Sequence, residues 1–155
     1  MKILFLRLGA IGDAIQAAAA LRIYKDNNPQ TIIEWVVDSA YVELIRSFQV
    51  ADKVIGAHSK AFLTGHLLSR LVNLIKTQLQ LGFGSPYDAV INAHPDWRYN
   101  LLSIFIATKK RISPKNLDHG GGFVATQNRT LEYLRLLKLA SLGALNSQNN
   151  ETILV

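Results

Sequence analysis

The sequence predicts an α/β domain with a mostly parallel sheet and helices on both faces. Three observations predict it. Short apolar runs alternate with helical segments along the chain. The first run, Ile3–Leu6, is continuously apolar, as a central parallel strand buried on both sides should be. That strand leads through Leu8-Gly9-Ala10-Ile11-Gly12-Asp13 into an Ala-rich helix, the entry to a strand–turn–helix unit.

The remaining elements follow from periodicity and punctuation. Ala14–Lys25 is helical, with Ile15, Ala18, Ala19 and Ile23 as its apolar positions, and Asn27-Asn28-Pro29 stops it. Thr31–Val37 is a second strand. Ser39–Phe48 is a short helix capped by Asp38 or Ser39. Lys53–Ile55 is a brief third strand, followed by a loop over 56–65. Leu67, Leu68, Leu71, Leu74, Ile75 and Leu79 then recur at helical spacing. Gly82–Pro86 is a turn and Tyr87–Asn92 a fourth strand. Trp97–Ala107 is a further helix, with Leu101, Leu102, Phe105 and Ile106 inward, and Lys109–Ile112 a fifth strand. A polar, glycine-rich loop over 116–128 precedes the last long helix, Arg129–Leu142, with Leu131, Leu134, Leu137 and Leu142 on or near one side. Thr152–Val155 reads as a strand, either the start of a further unit or an edge strand of this one.

Composition narrows the class. With 155 residues, 49% hydrophobic and 18% charged, the chain is large enough for one domain with a real core. It has no cysteine, which leaves no disulfide framework and no thiolate metal site, and fits a reducing cytoplasm. Arg7 and Asp13 interrupt the apolar start, which therefore does not read as a signal peptide. No apolar run approaches the roughly 20 residues of a membrane span. The net charge of +6 is lopsided: residues 1–53 hold six Lys/Arg and six Asp/Glu, and residues 54–155 hold eleven against five. Such a surface suits an anionic partner such as a phosphorylated glycolipid, an anionic membrane or nucleic acid.

The sharpest motif is Arg7-Leu8-Gly9-Ala10-Ile11-Gly12-Asp13. Its glycines allow a tight turn and close approach of a ligand to the backbone. The helix start aims free N–H groups at the ligand-facing end of the sheet. Asp13 there is either a helix cap or a general base. G-x-x-G is neither the G-x-G-x-x-G dinucleotide fingerprint nor a phosphate loop. His94 and Arg98 follow the fourth strand and are candidates for anionic ligand groups, with Asp96 as a helix cap in the plainer reading. Lys60 is a third, weaker candidate for the same groups. His58, His66, His94 and His119 show no metal-binding spacing. His119-Gly120-Gly121-Gly122 is similar to an esterase oxyanion loop, but the chain has no G-x-S-x-G. The Lys109-Lys110-Arg111 cluster lacks the aromatic interleaving of a nucleic-acid surface.

The opening R-L-G-A-I-G-D before an Ala-rich helix resembles the start of the family 9 glycosyltransferases, the lipopolysaccharide heptosyltransferases and their relatives. Ile32–Val37 with its internal Trp35, Asp52–Ile55, Tyr87–Asn92, Lys110-Arg111-Ile112 and the Tyr133–Leu137 helix closing in Leu142-Gly143 follow the same order. The resemblance covers nearly the whole chain, but only the family's N-terminal half. It implies a Rossmann-like domain, half of a GT-B fold: an acceptor-side domain over 1–145, then over 146–155 a linker and the start of a donor-binding domain. It further implies inverting, metal-independent transfer of heptose from ADP-heptose to the lipopolysaccharide inner core. Asp13 would be the base, with Gly9, Ala10, Gly12, Lys60, His94 and Arg98 on the acceptor side. No cofactor is expected, and the isolated chain is expected to be inactive. The expected partners are an anionic glycolipid acceptor, a nucleotide-sugar donor held by the second domain and the inner membrane, contacted peripherally from the cytoplasm; nucleic acid is not expected. The alternative is a non-catalytic α/β module that binds an anionic sugar or a partner protein.

Overall fold

The computed structural model describes residues 1–59, 66–81, 86–117 and 128–149. Among the described residues five strands form one sheet: β1 (Lys2–Leu6), β2 (Ile32–Asp38), β3 (Lys53–Ala57), β4 (Tyr87–Asn92) and β5 (Thr108–Ile112). Every pairing is parallel, and the order is β3-β2-β1-β4-β5. The helices are α1 (Ile11–Asn27), α2 (Val42–Ser47), α3 (Leu67–Leu81) and α4 (Arg129–Asn149). The predicted class is therefore observed, and the sheet is wholly parallel.

β1 lies at the centre because it can be buried on both faces. Ile3 and Phe5 enter one core with Ile33, Trp35, Val37 and Ile91, under α1, α2 and α4. Leu4 and Leu6 enter the other with Val36, Ile55 and Val90, under α3 and the segment 97–106. Alternate side chains of a strand point to opposite faces, so a continuous apolar run is what this position requires. Phe5 packs edge-on against both Trp35 and Tyr133, at ring separations of 5.9 and 6.1 Å.

Several helical faces differ from the periodicity reading. In α1 the isoleucines Ile15 and Ile23 face solvent, while Ala14, Ala17, Ala18, Leu21 and Tyr24 are buried. Small side chains let the helix approach the sheet closely, so the alanines line the contact. In α4, Leu131 and Leu142 are exposed, and Tyr133, Leu136, Leu137 and Ala140 make the buried stripe. The segment expected as a helix over 97–107 is a 3-10 helix, Trp97–Ser103, and Phe105 is 73% exposed instead of inward. A second 3-10 turn, Ser39–Tyr41, is capped by Asp38, which accepts from the Ala40 amide at 3.0 Å. A third, Pro114–Asn116, lies between β5 and the expected loop and takes in that loop's first residue. α4 continues to Asn149, through the first residues of the expected linker. Lys60, most of the 116–128 loop with His119, and Thr152–Val155 lie outside the described residues.

Candidate functional site

The strand order reverses beside β1: the chain moves outward to β2 and β3 and then returns to place β4 on the other side of β1. In open parallel sheets this reversal opens a crevice at the carboxyl ends of the strands. Two sequence segments meet there. β1 runs out through Arg7 and Leu8 to Gly9 and Ala10, and β4 runs out through Ala93 to His94.

Gly9 makes the turn. Its φ is +117°, a conformation side-chain-bearing residues rarely adopt. A β-carbon placed on it would stand 3.7 Å from both His94 Nε2 and an Arg7 guanidinium nitrogen. Gly9 is thus the floor between these two side chains. Gly12 is different. It sits in the first turn of α1 at an ordinary φ, and an added β-carbon would meet nothing within 4 Å. The turn needs Gly9 alone.

Arg7 is the organising side chain of the crevice, and the sequence reading passed over it. It is almost wholly buried. Its Nε donates to Tyr133 Oη at 2.7 Å, one Nη donates to the Leu8 carbonyl at 2.9 Å, and the other Nη pairs with Asp13 Oδ2. Burial holds the Tyr133 hydroxyl up at about 12 despite the nearby guanidinium, so it stays protonated and its oxygen accepts from Arg7. The available signal was an arginine inside an otherwise apolar strand exit, six residues before an aspartate.

Asp13 is not the cap of α1. Ala10 holds that position, and Asp13 stands in the first helical turn. One carboxylate oxygen is fixed by Arg7; the other has no hydrogen-bond partner among the described residues, and the side chain is about one-third exposed. A carboxylate with one oxygen anchored and the other partly exposed can accept a proton from a hydroxyl brought within hydrogen-bond distance.

His94 faces this pair across Gly9. Its Nδ1 accepts from the Asp96 amide at 3.0 Å, which leaves the imidazole proton on Nε2, toward the crevice. Burial, and secondly the charge of Arg7, push its pKa down to about 4. At neutral pH His94 is therefore an uncharged hydrogen-bond donor, not the cation that an acceptor carboxylate or phosphate would prefer. The Tyr99 ring lies 4.0 Å from it, centre to centre.

The other predicted residues divide. Ala10 lines the crevice beside Gly9. Arg98 is exposed, but its guanidinium is clamped to Asp96 at 2.5–3.0 Å. Asp96 also caps the 3-10 helix through the Arg98 amide, as the plainer reading expected. The 109–111 basic run does not form one patch. Lys109 pairs with Asp88, Lys110 with the Leu139 carbonyl and Arg111 with the carbonyls of Ser103 and Ile106.

Two clefts flank the reversal. One, of about 580 Å³, spans the ends of β1, β2 and β3 and is lined by Gly9, Ala10, Asp38, Tyr41, His58 and Ser59. Ser59 donates to Asp38 across its floor. The other, about 280 Å³, lies between β4, β5 and the 3-10 helix, beside Asn92, Asn100 and Arg111. Sequence reading missed Asp38 as a lining residue; its position at the carboxyl end of β2 was the available clue. Among the described residues there is no group of three His, Asp or Glu side chains able to hold a metal ion.

The fold and crevice define a Rossmann-like α/β domain with a half-buried Arg–Asp pair at the carboxyl edge of its sheet. No protein-family model and no curated protein sequence matches the chain. Solved structures do match. E. coli heptosyltransferase WaaC with ADP is 15% identical, with a TM-score of 0.68 over 90% of this chain and 47% of that one. The family 9 glycosyl transferase from Veillonella parvula DSM 2008 is 19% identical, with a TM-score of 0.64 over 90% of this chain and 41% of that one. E. coli ADP-heptose lipopolysaccharide heptosyltransferase II is 16% identical, with a TM-score of 0.59 over 88% and 40%. The likeness is one of fold. This chain spans less than half the length of each of these structures.

Proposed function

We propose that this chain is the acceptor-side domain of a heptosyltransferase-like glycosyltransferase. The observation that carries the reading is the Arg7–Asp13 pair. It lies at the reversal of the sheet, faces His94 across Gly9, and does so in a fold shared with heptosyltransferases. Two of the similar structures hold ADP or a fluorinated ADP-heptose, which supports ADP-heptose as the donor.

In this reading Asp13 takes the proton of an acceptor hydroxyl through its open oxygen. The acceptor oxygen then forms a bond to the anomeric carbon as the bond to ADP breaks, and ADP leaves with the electron pair on the face opposite to attack. That displacement inverts the anomeric centre and uses no metal. Arg7 fixes the carboxylate, and the Nε2–H of His94 donates to an acceptor oxygen. The acceptor is the lipopolysaccharide inner core, reached from the cytoplasmic face of the inner membrane. The nucleotide sugar is held by a second domain, so this chain by itself does not catalyse transfer.

The test is a transfer assay with this domain joined to a donor-binding domain. Asp13→Asn is expected to lower kcat by about 10²–10⁴-fold, with a lowered thermal midpoint because Arg7 loses its charged partner, and with the fold retained by circular dichroism. EDTA is expected to leave the rate unchanged. Near-normal turnover by Asp13→Asn would reject the base, and transfer by the 155-residue chain alone would reject the division of labour.

A further inference from the structure

Helix α3 is turned against its own pattern. Among its described side chains, those turned inward are Leu74, Thr77, Gln78 and Leu81, one stripe at helical spacing. Two of the four are polar: Thr77 is buried, and Gln78 donates to the Leu102 carbonyl at 2.5 Å. The outward stripe is Leu68, Leu71, Val72, Ile75 and Leu79, also at helical spacing and between 44% and 78% exposed. The 3-10 segment that follows β4 continues into two further exposed apolar residues, Ile104 and Phe105. Five large apolar side chains in register on one exposed helix are more than the scattered singles of an ordinary surface.

Charge says what would cover this stripe. Residues 67–81 include Arg70 and Lys76 and no acidic residue. Lys76 is exposed, and at the same end Lys53, paired with Glu34, donates to the Gln80 carbonyl at 2.8 Å. An exposed apolar stripe on a helix whose only charged residues are cations is the pattern of a helix lying in the interface of an anionic bilayer. A second copy of this chain fits less well, because face-to-face association would bring like charges together. A donor-binding domain would face the carboxyl edge of the sheet, whereas α3 packs on a sheet face beside Leu4, Val36 and Val90.

We propose that α3 is a membrane-docking helix that seats Leu68, Leu71, Val72, Ile75 and Leu79 in an anionic lipid surface, with Lys76 at the headgroups. This face is separate from the Asp13 crevice, and the proposal holds or fails independently of the transferase reading. The test is co-sedimentation of the 155-residue chain with vesicles of phosphatidylglycerol and phosphatidylethanolamine, free of any glycolipid. Binding is expected, weaker at raised salt and weaker still to phosphatidylcholine. Leu71→Asp with Ile75→Asp should reduce it at least about tenfold, and Lys76→Glu by about threefold or more. Ile23→Asp, on the exposed side of α1, should leave it unchanged, with circular dichroism reporting the fold of each variant. Absence of wild-type binding overturns the proposal, as does undiminished binding by folded Leu71/Ile75 and Lys76 variants. Self-association that the double substitution abolishes, without vesicle binding, assigns the face to a second copy and also overturns it.

Discussion

Helices α1 and α3 pack on opposite faces of one sheet, and they handle their side chains in opposite ways. α1 buries alanines together with Leu21 and Tyr24, and its first turn brings Asp13 to a buried arginine. α3 buries Thr77 and Gln78 beside Leu74 and Leu81 and leaves Leu68, Leu71, Val72, Ile75 and Leu79 outside. Both sequences have helical apolar spacing. Periodicity identifies a helix, but the rotation of that helix about its axis depends on what its neighbours can accommodate. Against β1 and α4, alanines allow the closest approach. Against residues 97–106, a glutamine is accommodated because its amide donates to the Leu102 carbonyl.

The largest stability difference expected is between apolar truncations on the two helices. Leu21→Ala removes a fully buried side chain and should cost about 2–5 kcal/mol. Leu79→Ala should stay within about 0.5 kcal/mol, because its side chain is mostly in water. Urea denaturation of both variants checks the contrast. A similar cost for the two would mean that α3 is seated more deeply than its stripe indicates.

Arg7→Leu is expected next. It removes the Arg7 donors from the Tyr133 hydroxyl and from the anchored Asp13 oxygen. Water can reach Asp13, so the loss should be about 2–3 kcal/mol, less than for a fully buried pair. The same measurement reads it, and a neutral result would remove Arg7 as the organiser of the crevice.

The crevice also predicts a pH dependence. The folded pKa of His94, about 4, lies below its unfolded value near 6.5. Between these values the unfolded chain binds more protons, so the contribution of His94 is complete above about pH 6.5 and is lost as pH falls toward 4. The urea midpoint should therefore drop across that window, and His94→Gln should flatten the drop. An unaltered profile in the variant would assign the acid sensitivity to other groups.

The smallest effects compare two glycines. Gly56 in β3 is enclosed: an added β-carbon would stand 2.9 Å from Val42 Cγ2 and 3.3 Å from the Ser39 backbone. Gly56→Ala should cost about 1–3 kcal/mol through crowding. Gly9 has room, and there the strain comes from its positive φ, so Gly9→Ala should cost about 1–2 kcal/mol. A thermal melt of each variant ranks them.

Much of this fold was legible in the chain. Ile3–Leu6 marked a central strand, Tyr87–Asn92 was placed to the residue, and Asp38 and Asp96 were readable as caps because capping is decided within a few residues. The aspartate at the mouth of the first unit was readable too. Its relation to the rest was not. Arg7 and Tyr133 are 126 residues apart, and no local pattern links them.

The sequence by itself determined the α/β alternation, the glycine turn and the presence of a carboxylate beside it, because strand and helix periods and turn chemistry are properties of neighbouring residues. Only the tertiary structure decided that Asp13 is an ion-pair partner instead of a cap, that His94 is neutral, and that α3 faces its apolar stripe outward. Each of these depends on burial and on groups distant in the chain. Desolvation, ion pairing and the rotation of a packed helix are set once the elements meet.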